Sequence, residues 1–124
     1  MRYNSVLDLH THTVASGHAY CSLREMAKAA SEKGLEVLGI TEHAPSMPGT
    51  CHKFYFNNLK VVPREMYGIQ LLLGSEVNIL DAQGTLDLGQ HTLSSMDVVI
   101  ASLHTPCMKP ASKLENTEAY LNVM

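Results

Sequence analysis

The chain has 124 residues, 45% of them apolar, and a net charge of −3 with its seven histidines neutral. That length bounds it to one domain with a substantial core, and the acidic balance argues against the broad basic face that long nucleic acids require. Cys21, Cys51 and Cys107 form no CxxC pair, which disfavours a thiolate metal site and suits a cytoplasmic setting; the opening residues lack the layout of a secretory leader, and no apolar run approaches the roughly 20 residues of a membrane span.

In chain order, Val6 to His12 reads as a short buried strand ending in two histidines. Alternation along a strand sends His10 and His12 to one side, close enough to share a cation. Asp8 has the same parity, one step below, where a carboxylate would orient an imidazole. For this stretch alone, two solvated histidines at a surface strand end explain the pattern equally well. A loop over residues 13–19 carries His18. A helix then starts at Ser22, with Glu25 at capping-box spacing, and ends at Gly34.

The second strand, from Leu35 to Thr41, runs into Glu42 and His43. Residues 44–50 are loop, marked by Pro45, Pro48 and Gly49. Residues 51–66 are ambiguous: Phe54, Tyr55, Phe56 and Leu59 suit a core edge, and Pro63 to Met66 suits a short helical turn. The third strand, Ile69 to Val77, continues to Leu80. Asp81 to Gly84 is turn chemistry, and Leu86, Leu88 and Leu93 suggest an irregular or helical link. The fourth strand, Met96 to His104, stops at Thr105-Pro106. Asn116 or Thr117 would cap a last helix over residues 118–124.

Each strand thus ends in a potential metal ligand: His10 and His12, His43, Glu76, and His104. The strands are near-continuous apolar runs, as expected where a parallel sheet is covered on both faces. In such α/β folds the active site gathers at the carboxyl ends of the strands. Parity puts Gly39 and Thr41 beside His43, Leu72 and Gly74 beside Glu76, and Ile100 and Ser102 beside His104. The opposite face holds Leu38, Ile40, Leu71, Leu73, Val99, Ala101 and Leu103, suited to packing against helices. A lone histidine after a strand is usually a loop residue. Ligand types at every strand end make accident improbable. His52 and His91 fall in loops and read as surface histidines. Asp81 and Asp87 read as turn and cap residues, and Lys53, Lys60, Arg64 and Lys109 as solvated cations.

The ordered set of motifs resembles the PHP (polymerase and histidinol phosphatase) superfamily. Asp8-Leu9-His10-Thr11-His12 resembles its first motif, and Ile40-Thr41-Glu42-His43 its second. Gly74-Ser75-Glu76-Val77-Asn78 and Ala101-Ser102-Leu103-His104 resemble later ones. Gly17-His18-Ala19-Tyr20 and His43-Ala44-Pro45-Ser46-Met47-Pro48 look most like the stand-alone YcdX-type phosphatases. The resemblance implies a distorted seven-stranded (β/α) PHP barrel, of which this chain would supply roughly the first half. It implies up to three ions, zinc foremost, with manganese or iron as alternatives. His10, His12 and Glu76 would hold one ion, Glu76 would bridge to a second shared with His104, and His18 and His43 would hold a third. Glu42 stands where an aspartate is more widespread.

The resemblance also implies three further ligands that do not occur beyond His104. A fragment of a longer chain is the favoured reading, the alternative being completion by a partner chain or solvent. The expected activity is hydrolysis of small phosphate monoesters, with Glu76 and Asp8 as catalytic candidates. Thr41, Ser102 and Asn78 would be substrate-binding or ligand-supporting residues. A histidinol-phosphate phosphatase, a PHP-type exonuclease and a silent metal-binding fragment are the competing readings. Nucleic acid and membrane partners are not expected. Self-association through exposed sheet edges is.

Overall fold

The computed structural model describes residues 4–109 and 111–124. Five strands form one sheet: β1 (Leu7–Thr11), β2 (Val37–His43), β3 (Glu65–Met66), β4 (Ile69–Asn78) and β5 (Val98–Ser102). The long strands run parallel in the order β1-β2-β4-β5. Helix α1 (Leu23–Glu32) links β1 to β2, α2 (Phe54–Asn58) precedes β3, α3 (Gln90–Leu93) precedes β5, and α4 (Lys113–Val123) follows it. The expected α/β sheet is present, curled as the first half of a PHP barrel is.

Sequence patterning explains the frame. Ser22 caps α1, with Glu25 returning its carboxylate to the Ser22 N–H, so both orphan groups are satisfied. The face of α1 bearing Ala27 and Ala30 packs on Leu38, Ile40, Leu71 and Leu73, all buried. Those four lie on the helix-facing parity, as the alternation requires. The same parity on β5 is covered less well: Val99 is 41% exposed. β5 is an edge strand, and the α3 beside it is a single turn.

Two local expectations are corrected. Glu65 and Met66 form β3, antiparallel to the start of β4, rather than a helical turn. The two-residue connection Tyr67-Gly68 has positive φ at both positions, 52° and 78°, the geometry of a tight hairpin. The last helix begins earlier than Asn116, because Ser112 and Glu115 make a second capping box. The link after β4 is irregular and then helical, as expected: Leu86 bridges Ile79, and a helical turn starts at Gln90.

β1 carries the one irregularity that matters for the site. Asp8 pairs with Leu38 but Thr11 with Ile40, so β1 has one extra residue between them. Such a bulge bends the strand and breaks its alternation. Gly39 permits it: a Cβ there would lie 2.7 Å from the Leu9 Cα and carbonyl oxygen.

Candidate metal centre

Strand geometry delivers the ligands to one rim. His10 lies in β1 and His12 just past it, His43 closes β2, Glu76 lies near the end of β4, and His104 follows β5. His43 and Glu76 are direct partners across the β2–β4 ladder. Glu76, only 4% exposed, is the hub. Its Oε2 lies 3.2 Å from His10 Nε2, 3.4 Å from His12 Nε2 and 2.9 Å from His43 Nδ1, and its Oε1 lies 3.3 Å from His104 Nε2. Two three-residue groups result, each with ligand atoms within 4.8 Å of one another: His10, His12, Glu76, and His43, Glu76, His104. The other nitrogen of His43, Nε2, meets His18 Nε2 at 3.0 Å. The six ligand candidates therefore converge as expected, with one addition: His43 faces Glu76 and His104 as well as His18.

The chemistry of these contacts calls for a cation. His43 Nδ1 and Glu76 Oε2 are both buried, approach to 2.9 Å, and neither has a hydrogen-bond partner. Burying such atoms unpaired is costly. His12 stacks on His43 with ring centroids 4.2 Å apart, and His104 meets His43 edge-on at 4.8 Å. Crowded rings resist protonation. Burial pushes His43 down to about 4, helped by the neighbouring His12, and burial likewise lowers His12. Burial alone would raise the Glu76 carboxyl, but the Ser102 hydroxyl, His10 and His43 outweigh it and hold it below its ordinary value. These directions favour neutral rings at His12 and His43 and an ionised Glu76, the forms that bind metal. The residues fit a divalent cation.

Supporting contacts differ from expectation in instructive ways. Asp8 reaches no imidazole: its Oδ1 accepts the backbone N–H of His10 at 3.1 Å. The bulge between Asp8 and Thr11 broke the parity that would have aligned it. Thr41 is fully buried, and its hydroxyl donates toward the Leu9 and Thr11 carbonyls, so it secures β1 rather than meeting a substrate. Ser102 lies beside Glu76. Asn78 is fully buried against His104 Nδ1 at 2.8 Å. His52 is an exposed loop residue, and His91 is exposed on α3. Arg64 is not a free cation but pairs with Asp97 at 2.7 Å.

Two residues carry more than their sequence context suggests. Ser16 sits in the turn after β1 and touches His12 Nδ1 at 3.1 Å. It is held by Glu42, whose buried carboxylate also accepts the Thr13 N–H and hydroxyl. Asp87, read as a cap, instead binds both the backbone and side-chain amides of Asn78 and the N–H of Ser46. Neither residue has a periodicity or motif signal. Their partners are distant in sequence and found only by folding.

A parallel α/β sheet that curls and gathers imidazoles around one carboxylate at its carboxyl rim defines a class of half-barrels whose rim could hold a metal ion. The PHP domain family model matches residues 8–123, and the chain belongs to that family. It is 58% identical over its whole length to a protein named probable phosphatase from Clostridium novyi (strain NT), covering 50% of that protein. A probable phosphatase of Clostridium botulinum (strain Langeland) is 54% identical over 100% of this chain and 50% of its own. One from Thermoanaerobacter sp. (strain X514) is 49% identical over 96% of this chain and 49% of its own. The chain spans about half the length of these relatives. Among the described residues, no helix is long and apolar enough to cross a membrane.

Proposed function

We propose that the protein is a metal-dependent phosphoesterase that hydrolyses small phosphate monoesters. The observation that carries this reading is the convergence of His10, His12, His43 and His104 on buried Glu76. His10, His12 and Glu76 would hold one ion, and Glu76, His43 and His104 a second, with Glu76 shared. His18 and His43 would hold a third. Mixed imidazole and carboxylate donors suit zinc, with manganese or iron as alternatives. Bound divalent cations supply Lewis acidity, which neutralises phosphate charge and acidifies a water nucleophile. The chain's own contribution is spacing and exclusion: Glu76 sets the separation of the cation positions, and the stacked rings keep the buried side dry.

The relatives' name, probable phosphatase, supports the same chemistry. The open edges of β1 and β5 suit association with further strands, which sedimentation would reveal. A cytoplasmic location suits the three free cysteines.

The test is metal content and turnover of the full-length protein together. Plasma mass spectrometry should find more than one ion per chain, and chelation should abolish hydrolysis of p-nitrophenyl phosphate. His10→Ala and Glu76→Ala should each remove activity. Near-wild-type turnover in either variant overturns the assignment. A panel of histidinol phosphate, simple monoesters and single-stranded DNA separates the phosphatase from an exonuclease.

A further inference from the structure

We infer that Asp87 and Glu42 are positioning residues that decide which nitrogen of His104 and of His12 carries the ring hydrogen, each acting through a neutral link. The inference rests on the metal-site reading above, because its purpose is to present a bare Nε2 to a cation.

The His104 side follows from counting hydrogens. The Asn78 amide nitrogen lies 2.6 Å from Asp87 Oδ2 and 3.1 Å from the Ala44 carbonyl oxygen. A carboxylate and a carbonyl only accept, so the NH₂ must face them. Asp87 cannot turn away, since its Oδ1 takes the Asn78 backbone N–H at 2.9 Å and its Oδ2 the Ser46 N–H at 2.8 Å. The Asn78 oxygen is then what meets His104 Nδ1 at 2.8 Å. That oxygen only accepts, so Nδ1 holds the hydrogen. His104 Nε2 is left as a lone pair aimed at Glu76 Oε1, 3.3 Å away.

The His12 side has the same construction. The Ser16 oxygen lies 2.5 Å from Glu42 Oε2, an acceptor, so the hydroxyl hydrogen goes there. The backbone N–H of His43 donates to Ser16 Oγ at 3.0 Å. One lone pair remains, and it faces His12 Nδ1 at 3.1 Å. That nitrogen must be the donor, which leaves His12 Nε2 bare toward Glu76 Oε2 at 3.4 Å.

Each relay is thus carboxylate, neutral link, imidazole. A carboxylate bonded directly to the ring would orient it too, but would add its charge to the contact. A hydroxyl or amide between them passes on direction without charge. The result is two bare nitrogens and a carboxylate facing one another, an arrangement that a cation between them satisfies.

Long-range ¹H–¹⁵N NMR of the histidine rings tests this directly in the full-length protein stripped of metal with EDTA, at a pH about two units above the ordinary imidazole value. Both His12 and His104 should be the Nδ1–H tautomer in the wild type, although an unconstrained imidazole prefers hydrogen on Nε2. Nε2–H at either ring in the wild type overturns the inference with no variant needed. In Asp87→Asn the Asn78 amide is free to turn over, so His104 should switch to Nε2–H while His12, in the same sample, stays put as a control on folding. Zinc affinity in chelator competition should fall roughly 10–100-fold. An unchanged His104 tautomer and unchanged affinity in Asp87→Asn overturns the relay. If that variant does not fold, Ser16→Ala makes the reciprocal test: His12 should switch and His104 should not. The two readings fail separately. A wild type with both rings Nδ1–H that takes up no zinc sinks the metal centre and upholds the relays, whereas tight zinc binding with Nε2–H rings does the reverse.

Discussion

Replacing Glu76 with glutamine should move the stability of the metal-free and metal-loaded protein in opposite directions. The substitution keeps shape and volume but removes the charge and turns one oxygen into an NH₂. In the metal-free chain at mildly alkaline pH, Glu76 faces nitrogens of four imidazoles at 2.9–3.4 Å, and its Oε2 has no hydrogen-bond partner. A glutamine NH₂ can donate to a bare ring nitrogen, so E76Q without metal should be as stable as the wild type or more stable by about 1 kcal/mol. With zinc the sign reverses. Zinc at about 100 times its dissociation constant adds about 2.7 kcal/mol to a protein that binds one ion only when folded. For a domain of this size that is a rise in Tm of about 10 °C. Both three-residue groups contain Glu76, so the variant should lose the whole rise. Thermal melts by circular dichroism, with EDTA and with zinc, read all four states. A variant that is less stable without metal yet gains the full zinc-dependent rise would mean that Glu76 is an ordinary structural carboxylate, and the reasoning from unpartnered acceptors would be wrong.

Other outcomes follow from the same geometry. Gly74→Ala should cost about 3 kcal/mol or more in urea unfolding, at or beyond the upper end of overpacking, because its Cβ would lie 1.7 Å from the Val98 carbonyl oxygen; an unmoved midpoint refutes this. The metal-free protein should lose stability as pH falls from 6.5 toward 4. His43 titrates near 4 when folded and near 6.5 when unfolded, so in that window the unfolded chain takes up a proton that the native ring refuses. The loss is about 3 kcal/mol. Glu76, lowered in the fold, adds to it as pH drops below the ordinary carboxylate value of 4.5. A flat urea midpoint across that range counts against the burial of His43. His52→Gln and His91→Gln should leave zinc affinity within about twofold, as isothermal titration would show, since surface changes away from a site do little; a tenfold loss in either would mean the cluster is drawn wrongly.

The site's membership was legible in the sequence because it depends on a rule that is local. Apolar runs mark buried parallel strands, and the ligands stand where those runs end, so His43, Glu76 and His104 could be placed without tertiary knowledge. The Ser22–Glu25 capping box was legible for the same reason, its donors and acceptors being three residues apart. Ser112–Glu115 has the same spacing and starts α4 earlier than Asn116 or Thr117 would. What escaped was set by distant partners. The role of Asp8 depended on alternation along β1, and that alternation is broken by pairing with β2, which β1 alone cannot report. Thr41 looked available for substrate on parity, yet its hydroxyl is occupied by the backbone of β1, thirty or more residues back in sequence. Asp87 and Ser16 matter through hydrogen bonds to Asn78 and Glu42 that no pattern announces.

The bulge and the convergence have a common physical origin in two strand glycines. Histidines from β1 and from the end of β5 can reach a carboxylate on β4 only if the sheet curls, and curling brings backbones closer than a side chain allows. Gly39 on β2 faces the bulged backbone at Leu9, one residue before His10, where a Cβ would come within 2.7 Å. Gly74 on β4, two residues before Glu76, faces the start of β5, where a Cβ would come within 1.7 Å of Val98. The neighbour that crowds each glycine is the strand that carries a histidine. Parity alone sets these glycines beside His43 and Glu76. The distances give their duty: they make room for backbone, and by admitting β1 and β5 they turn a flat row of strand ends into a rim whose imidazoles meet.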